Sequence, residues 1–278
     1  MTSNNFDFSD STVIVTGGTK GLGKGITQAF LQAGANVVVC ARGEPGEVPS
    51  AKIAKTGNSA KAMFVAADVR KSEDIQNVVS ETLKAHGRID VLVNNAGGAP
   101  PVASAEASPR FNERVVALNL LAPIMFAQAV YPTMSAQETG GVILNISSVA
   151  ALRPNPYGVA YGAAKAGLIN VSETLSVEWA PKIRVLTVTA GLLVTENAHL
   201  FYGDEEGIKQ VGNTIAAGRM GTPEDIADTC LFLASPLAKW MTGANIKVHG
   251  GGEKPAYLAA STGQVSQTSN QLGKPSGE

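Results

Sequence analysis

This sequence has little with which to ligate a metal or staple a fold. It holds two cysteines, Cys40 and Cys230, far apart and without metal or redox spacing. Two reduced, buried thiols in a cytoplasmic protein are the expectation. Its three histidines, His86, His199 and His249, are isolated and form no ligand cluster, so no metal is expected. Charge is scarce too: 16% of residues are charged and the formal net charge is −1, which leaves no electrostatic footprint for nucleic acid or an anionic membrane. The longest block of like charge is Asp204-Glu205-Glu206, expected to be a solvated turn. Residues 1–10 are polar and acidic and carry no signal-peptide apolar run. No stretch approaches about 18 uninterrupted apolar residues, so no membrane span is expected.

What is present is a rhythm of short apolar runs separated by amphipathic segments. Runs at 12–15, 36–40, 60–66, 89–93, 142–146, 183–188 and 244–248 are rich in β-branched residues. With 44% hydrophobic residues, this is the pattern of a parallel sheet buried beneath helices on both faces. Residues 44–57 are expected as turn and short helix. Ile75, Val78, Val79 and Leu83 recur at helical spacing over 72–86, and Gly87 ends that helix. Ser108-Pro109 starts a long helix, about 109–135, because Ser caps well and Pro is preset for the first position. Residues 195–219 are mixed and Gly-broken, as in a mobile flap, and Thr222-Pro223-Glu224-Asp225 opens a further helix. No repeat or linker divides the chain. A single domain over 1–260 and a flexible tail over 261–278, almost without apolar residues, are expected.

Chemistry concentrates at the ends of the predicted strands. The first runs into Thr16-Gly17-Gly18-Thr19-Lys20-Gly21-Leu22-Gly23, and a helix follows. Strand, Gly-rich turn and helix form the setting of a dinucleotide fingerprint. Glycines let the backbone approach a pyrophosphate, and the helix N-terminus presents free N–H groups and partial positive charge. The second run ends at Ala41-Arg42, with no carboxylate before Glu44. An acid there would hold ribose hydroxyls; a base accommodates a 2′-phosphate. Arg42 and Lys20 therefore favour NADP(H), with NAD(H) a possible alternative. Asp68-Val69 ends the third run; Asp68 could accept from an adenine amino group or cap the next helix. Asn94-Asn95-Ala96-Gly97 ends the fourth, where two amides could tie strand ends together and Gly97 and Gly98 leave room for a cofactor ring. Asn119 sits among Val115, Val116, Leu118 and Leu121 on a helix, unfavourable unless it has a task. Pro123, four residues on, has no N–H for the Asn119 carbonyl, which is then free to bind a water.

The fifth run delivers Ser147 and Ser148, a Pro-rich turn follows, and a helix carries Tyr161 and Lys165 four apart on one face. A phenol ordinarily titrates near pH 10. One cation at about 4 Å, at an effective dielectric near 20, supplies about 4 kcal/mol. That brings the phenol within reach of neutral pH, where general acid–base catalysis works best.

In order and spacing, Thr16-Gly-x-x-x-Gly21-x-Gly23, Asn94-Asn-Ala-Gly97, Asn119, Ser148 and Tyr161-x-x-x-Lys165 resemble the single-domain type of the short-chain dehydrogenase/reductase family, over roughly residues 10–252. The resemblance implies a Rossmann-type, doubly wound α/β fold with seven parallel strands in the order 3-2-1-4-5-6-7. It implies that Tyr161 exchanges the proton with the substrate oxygen and that Ser148 hydrogen-bonds that oxygen. Lys165 would bind the nicotinamide ribose and lower the Tyr161 pKa, and Asn119 would hold a water linking Lys165 to solvent. Thr195 would contact the nicotinamide carboxamide and Leu193 add a backbone contact. The turn after the sixth strand, usually Pro-Gly in the family, is Ala190-Gly191 here. A homotetramer is implied; the helices at about 109–135 and 158–180 carry apolar residues on more than one face, as pairing helices would, and the short apolar stretch Pro255 to Ala259 could lie over a neighbour's active site.

The expected activity is hydride transfer between NADP(H) and a carbonyl or secondary alcohol, with a 3-oxoacyl-thioester reductase the commonest analogue. A redox-sensing regulator without turnover is the alternative; the intact Ser148, Tyr161, Lys165 and Asn119 set argues against it. The substrate pocket is expected between residues 99–102, 149–157 and 196–218, with Arg153 and His199 as polar handles.

Overall fold

The computed structural model describes residues 6–262, so all but the start of the expected tail lies outside the described residues. Seven parallel strands form the central sheet: β1 (Thr12–Thr16), β2 (Asn36–Ala41), β5 (Met63–Ala66), β6 (Val91–Asn94), β7 (Gly141–Ser148), β8 (Ile183–Ala190) and β9 (Asn245–Val248). Their spatial order is β5-β2-β1-β6-β7-β8-β9, which is the expected 3-2-1-4-5-6-7 when only the central strands are counted. The chain steps outward from β1 through β2 to β5, then returns to β6 on the other side of β1. The strand order reverses between β1 and β6, and a crevice opens there at the carboxyl ends.

Alternation along the strands builds a core on each face. Val13 and Val15 of β1 pack with Ile26 and Phe30 of α1 (Gly21–Gln32) and with Ile226 and Leu231 of α8 (Pro223–Ala234). Ile14 points to the opposite face. There it joins Ile75 and Val78 of α2 (Ser72–His86) and Phe126, Val130 and Met134 of α4 (Ala122–Ala136). Both faces of β1 are buried along its whole length, which is why it is β-branched throughout.

The helix starts follow their sequence signals. The Ser108 hydroxyl accepts from the Phe111 N–H at the head of α3 (Pro109–Val116). Thr222 and Asp225 form a reciprocal capping box at the head of α8. Residues 109–136 run as α3, a π-helical turn over Ala117–Leu121, and α4. This is the one stretch among the described residues long and apolar enough, by length and composition, to cross a membrane. It escaped the uninterrupted-run criterion because polar residues punctuate it, and its Phe126, Val130 and Met134 are fully buried against the sheet.

One expectation is corrected. Residues 44–57 contain no helix. Ser50–Lys52 (β3) and Ser59–Lys61 (β4) pair as an antiparallel hairpin outside the main sheet, and the expected third strand is therefore cut to β5. Both strands read Ser-Ala-Lys, polar-apolar-polar, a period-two pattern that suits a half-exposed ribbon against α1.

The remaining elements sit at the carboxyl edge. α5 (Val159–Glu178) follows β7, and the flap after β8 folds into α6 (His199–Tyr202) and α7 (Glu205–Thr214). A short α9 (Ala256–Ala260) follows β9.

Candidate active site

Every strand around the switch point ends in a side chain that fastens its neighbour. The Thr16 hydroxyl accepts from the N–H groups of Asn95 and Ala96, both at 2.9 Å. The Asn95 amide donates back to the carbonyls of Thr16 and Gly17. Buried Asn94 donates to the Asn145 side chain at 2.8 Å, and Asn145 donates to the Ser172 hydroxyl at 2.9 Å, tying β6 to β7 and α5. The two expected amide ties are thus present, and they hold the crevice open at a fixed width.

Two adjoining cavities occupy this edge. One, of about 360 Å³, runs along the Gly-rich turn and is bordered by Gly17, Thr19, Lys20, Gly21, Leu22 and Gly23. Arg42, Asp68 and Val69 wall its far end, and Asn95, Ala96, Gly97 and Thr195 its near end. The other, of about 450 Å³, collects Ser148, Tyr161, Lys165, Gly191, Leu193 and Thr195. Of the catalytic and cofactor-binding residues read from the sequence, Asn119 alone borders neither. It lies fully buried behind the loop, its Oδ1 accepting from Gly98 N–H at 2.8 Å and its Nδ2 donating to the carbonyls of Gly98 and Val115. Its side chain is therefore saturated by backbone. What remains available is its main-chain carbonyl, in the π-helical turn just before Pro123, and such turns concentrate at functional sites.

The residues present fit a dinucleotide. Gly23 packs so closely that an added Cβ would stand 2.2 Å from the Gly17 carbonyl oxygen and 2.5 Å from the Asn95 amide nitrogen. Only glycine lets turn and helix meet there. Gly17, with φ +64°, takes a left-handed conformation that favours glycine. At the head of α1 the Gly21 N–H already holds an anion, the Glu196 carboxylate from the flap, at 2.8 Å. That bond is the first cause of a lowered Glu196 pKa, with Lys24 and Lys20 adding to it. The bonded carboxylate oxygen occupies the kind of position that a phosphate oxygen takes at a helix N-terminus.

At the catalytic end, Ser147 donates to the Lys165 carbonyl at 3.0 Å and is the structural neighbour, while Ser148 faces the cavity. Lys165 is buried, its Nζ donates to the Ile146 carbonyl at 2.8 Å, and burial pushes its pKa down to about 8. The ammonium lies 5.8 Å from the centre of the Tyr161 ring. The expected lowering of the Tyr161 pKa by Lys165 does not occur in this arrangement. Burial raises it first, the Ser148 hydroxyl beside it opposes that, and nearby Tyr202 adds to the rise. The ammonium sits against the Ile146 carbonyl and the face of the ring.

Other placements differ from the sequence expectations. Asp68 is clamped by Arg70, whose Nε donates to Oδ1 at 2.8 Å, and that pairing is the main reason its pKa falls to about 2. Arg70 also borders the cavity near Arg42; it was legible as a second cation two residues after Asp68. Arg153 does border the catalytic cavity, but Glu253 holds it in a salt bridge. His199 is exposed and walls neither cavity, its ring nitrogen lying 3.2 Å from the Glu196 carbonyl. Its neighbours Ala198, Phe201 and Tyr202 face inward instead. No sequence signal marked Glu196, Tyr202 or Glu253, because each acts on residues distant in the chain.

Comparison with known proteins points the same way. A family model described as Enoyl-(Acyl carrier protein) reductase matches residues 17–253. The chain is 32% identical over 247 residues to a protein from Listeria innocua named NAD-dependent glycerol dehydrogenase, covering 88% of this chain and 95% of that one. It is 32% identical over 245 residues to the human Dehydrogenase/reductase SDR family member 4, covering 87% of each. The ligand-free aldohexose dehydrogenase of Thermoplasma acidophilum superposes with a TM-score of 0.78 at 29% identity, over 88% of this chain and 95% of that one. With strand order, crevice and motif spacing already in agreement, this chain belongs to the short-chain dehydrogenase/reductase family of nicotinamide-dependent oxidoreductases.

Proposed function

We propose that this chain transfers a hydride between NADP(H) and a carbonyl or secondary alcohol, with Tyr161 exchanging the proton. The observation that carries this is the convergence of Ser148, Tyr161 and Lys165 on one cavity that continues into the Gly-rich groove. The bound nicotinamide would supply or accept the hydride. The protein's own part is to place and stabilise. Ser148 holds the substrate oxygen, and Tyr161 donates to it in the reducing direction. The buried Lys165 ammonium would hold the ribose hydroxyls and stabilise the phenolate left on Tyr161. The Asn119 carbonyl offers a water site through which the proton is replaced from solvent.

NADP(H) is favoured over NAD(H) by the Arg42 guanidinium at the adenosine end, with Lys20 on the turn and no carboxylate at the end of β2. Arg42→Ala is expected to weaken NADPH binding by about tenfold while changing NADH binding by less than about twofold, the scale of one charge-assisted contact. Equal effects on both cofactors, read by fluorescence titration, count against this preference. A homotetramer is part of the same reading. Leu121, Tyr131, Val159 and Val177 leave apolar surface exposed on the helices that would pair.

Tyr161→Phe is the central test. It should retain NADPH binding and lose turnover by about a hundredfold or more, the scale of one general acid. A variant that still turns over at the wild-type rate sinks the assignment.

A further inference from the structure

The catalytic cavity has a second polar end, away from Lys165. Tyr202, on α6, is half-buried and walls the cavity together with Tyr161 and Ser148. Among the described residues its hydroxyl has no hydrogen-bond partner. It lies close enough to Tyr161, Glu253 and Arg153 for each to interact with it electrostatically.

Arg153 is the one cation at this end, and it is fully engaged. Its Nε donates to Glu253 Oε2 at 3.3 Å, its second terminal nitrogen to Glu253 Oε1, and its first to the Pro154 carbonyl at 3.2 Å. The pair joins the turn after β7 to the segment after β9, a hundred residues apart, and cancels its own charge.

This chemistry selects among ligands. A carboxylate or phosphate would meet no uncompensated cation here, because Arg153 is already paired with Glu253. An alkyl chain would cover an unpaired phenol and leave it unsatisfied. A neutral ligand with a further hydroxyl satisfies the Tyr202 phenol without needing a free charge. We propose that the substrate is a small, neutral polyhydroxy alcohol or ketone, and that Tyr202, braced by the Arg153–Glu253 pair, recognises a hydroxyl other than the reacting one. This rests on the hydride-transfer reading and adds the substrate class to it. The cavity, about 450 Å³ with the nicotinamide end included, suits a ligand of a few carbons more readily than a long acyl chain.

The test compares erythrulose with 2-butanone, which share the carbonyl and differ only in hydroxyls, using NADPH oxidation by the full chain. The wild type should favour erythrulose in kcat/KM by about tenfold or more, since a site built to bond a hydroxyl rejects the analogue lacking it. Tyr202→Phe should lower that ratio about tenfold. Glu253→Gln, which frees the Arg153 charge, should raise the relative rate with the anion 2-oxobutanoate several-fold. A wild type that favours 2-butanone or 2-oxobutanoate, or a Tyr202→Phe variant with an unchanged ratio, overturns the proposal. Binding separates this from failure of the hydride-transfer reading. Should neither ketone turn over, saturable binding of erythritol to the NADP-loaded protein, weakened in Tyr202→Phe, supports recognition without turnover. Absence of that binding overturns it.

Discussion

Replacing Asn119 by alanine should destabilise this fold markedly, although the residue touches neither cavity. Its side chain makes three backbone hydrogen bonds: one from Gly98 N–H at 2.8 Å, one to the Gly98 carbonyl at 3.0 Å and one to the Val115 carbonyl at 2.9 Å. Alanine orphans all three groups. Each unsatisfied buried group costs about 1–3 kcal/mol. Gly98 lies at the surface, where water replaces part of what is lost, so the sum falls at about 2–4 kcal/mol. For a chain of this size 1 kcal/mol moves Tm by about 2–4 °C, so the variant should melt about 5–15 °C lower by circular dichroism. Asn119→Asp is the sharper comparison. It keeps the shape and the acceptor for Gly98 N–H but turns a carboxylate oxygen toward two carbonyls, so it should melt no higher than the alanine variant near neutral pH. NADPH affinity should fall in both, because Asn119 holds the loop that borders the nicotinamide end. An alanine variant melting within about 1 °C of wild type would refute the claim that this side chain is the tie between helix and loop.

Two other perturbations follow from the same geometry. Glu196→Gln removes the anion resting on the Gly21 N–H, so NADPH should bind about three- to tenfold more tightly, a fraction of a charge-assisted hydrogen bond at an exposed site; weaker binding by fluorescence titration would contradict the stand-in role. Lys165 is lowered to about 8 from the 10.5 of an exposed lysine, so between those values the unfolded chain binds more protons and stability should rise with pH. Below about pH 8 the penalty is fully present, and above about 10.5 both states are neutral. Lys165→Met should therefore gain most over wild type in cofactor-free denaturant melts below pH 8, with the gap closing as pH climbs toward 10.5. A gap independent of pH would contradict a strained, buried ammonium.

The glycine turn, the four-residue spacing of Tyr161 and Lys165, and the β-branched runs are local facts, and the sequence alone was enough to read them. Hydrophobic period and glycine placement act within a few residues, so the fold class and most cavity-lining residues were legible there, whereas the strand order came only with the family resemblance. Residues 50–61 misled because two three-residue polar strands carry too little period to be told from a turn. Only the tertiary structure decided how charges are partnered. Arg153 looked like a free handle until Glu253, a hundred residues on, came to rest against it. Asn119 looked like a main-chain water site, and folding added a second task, because its side-chain amide ties Gly98 to Val115. Lys165 looked like the cation that tunes Tyr161 until burial and the Ile146 carbonyl took hold of it. Spacing along a chain says which side chains share a face. Which partner a charge meets, and how much water is left around it, depends on elements that only folding brings together.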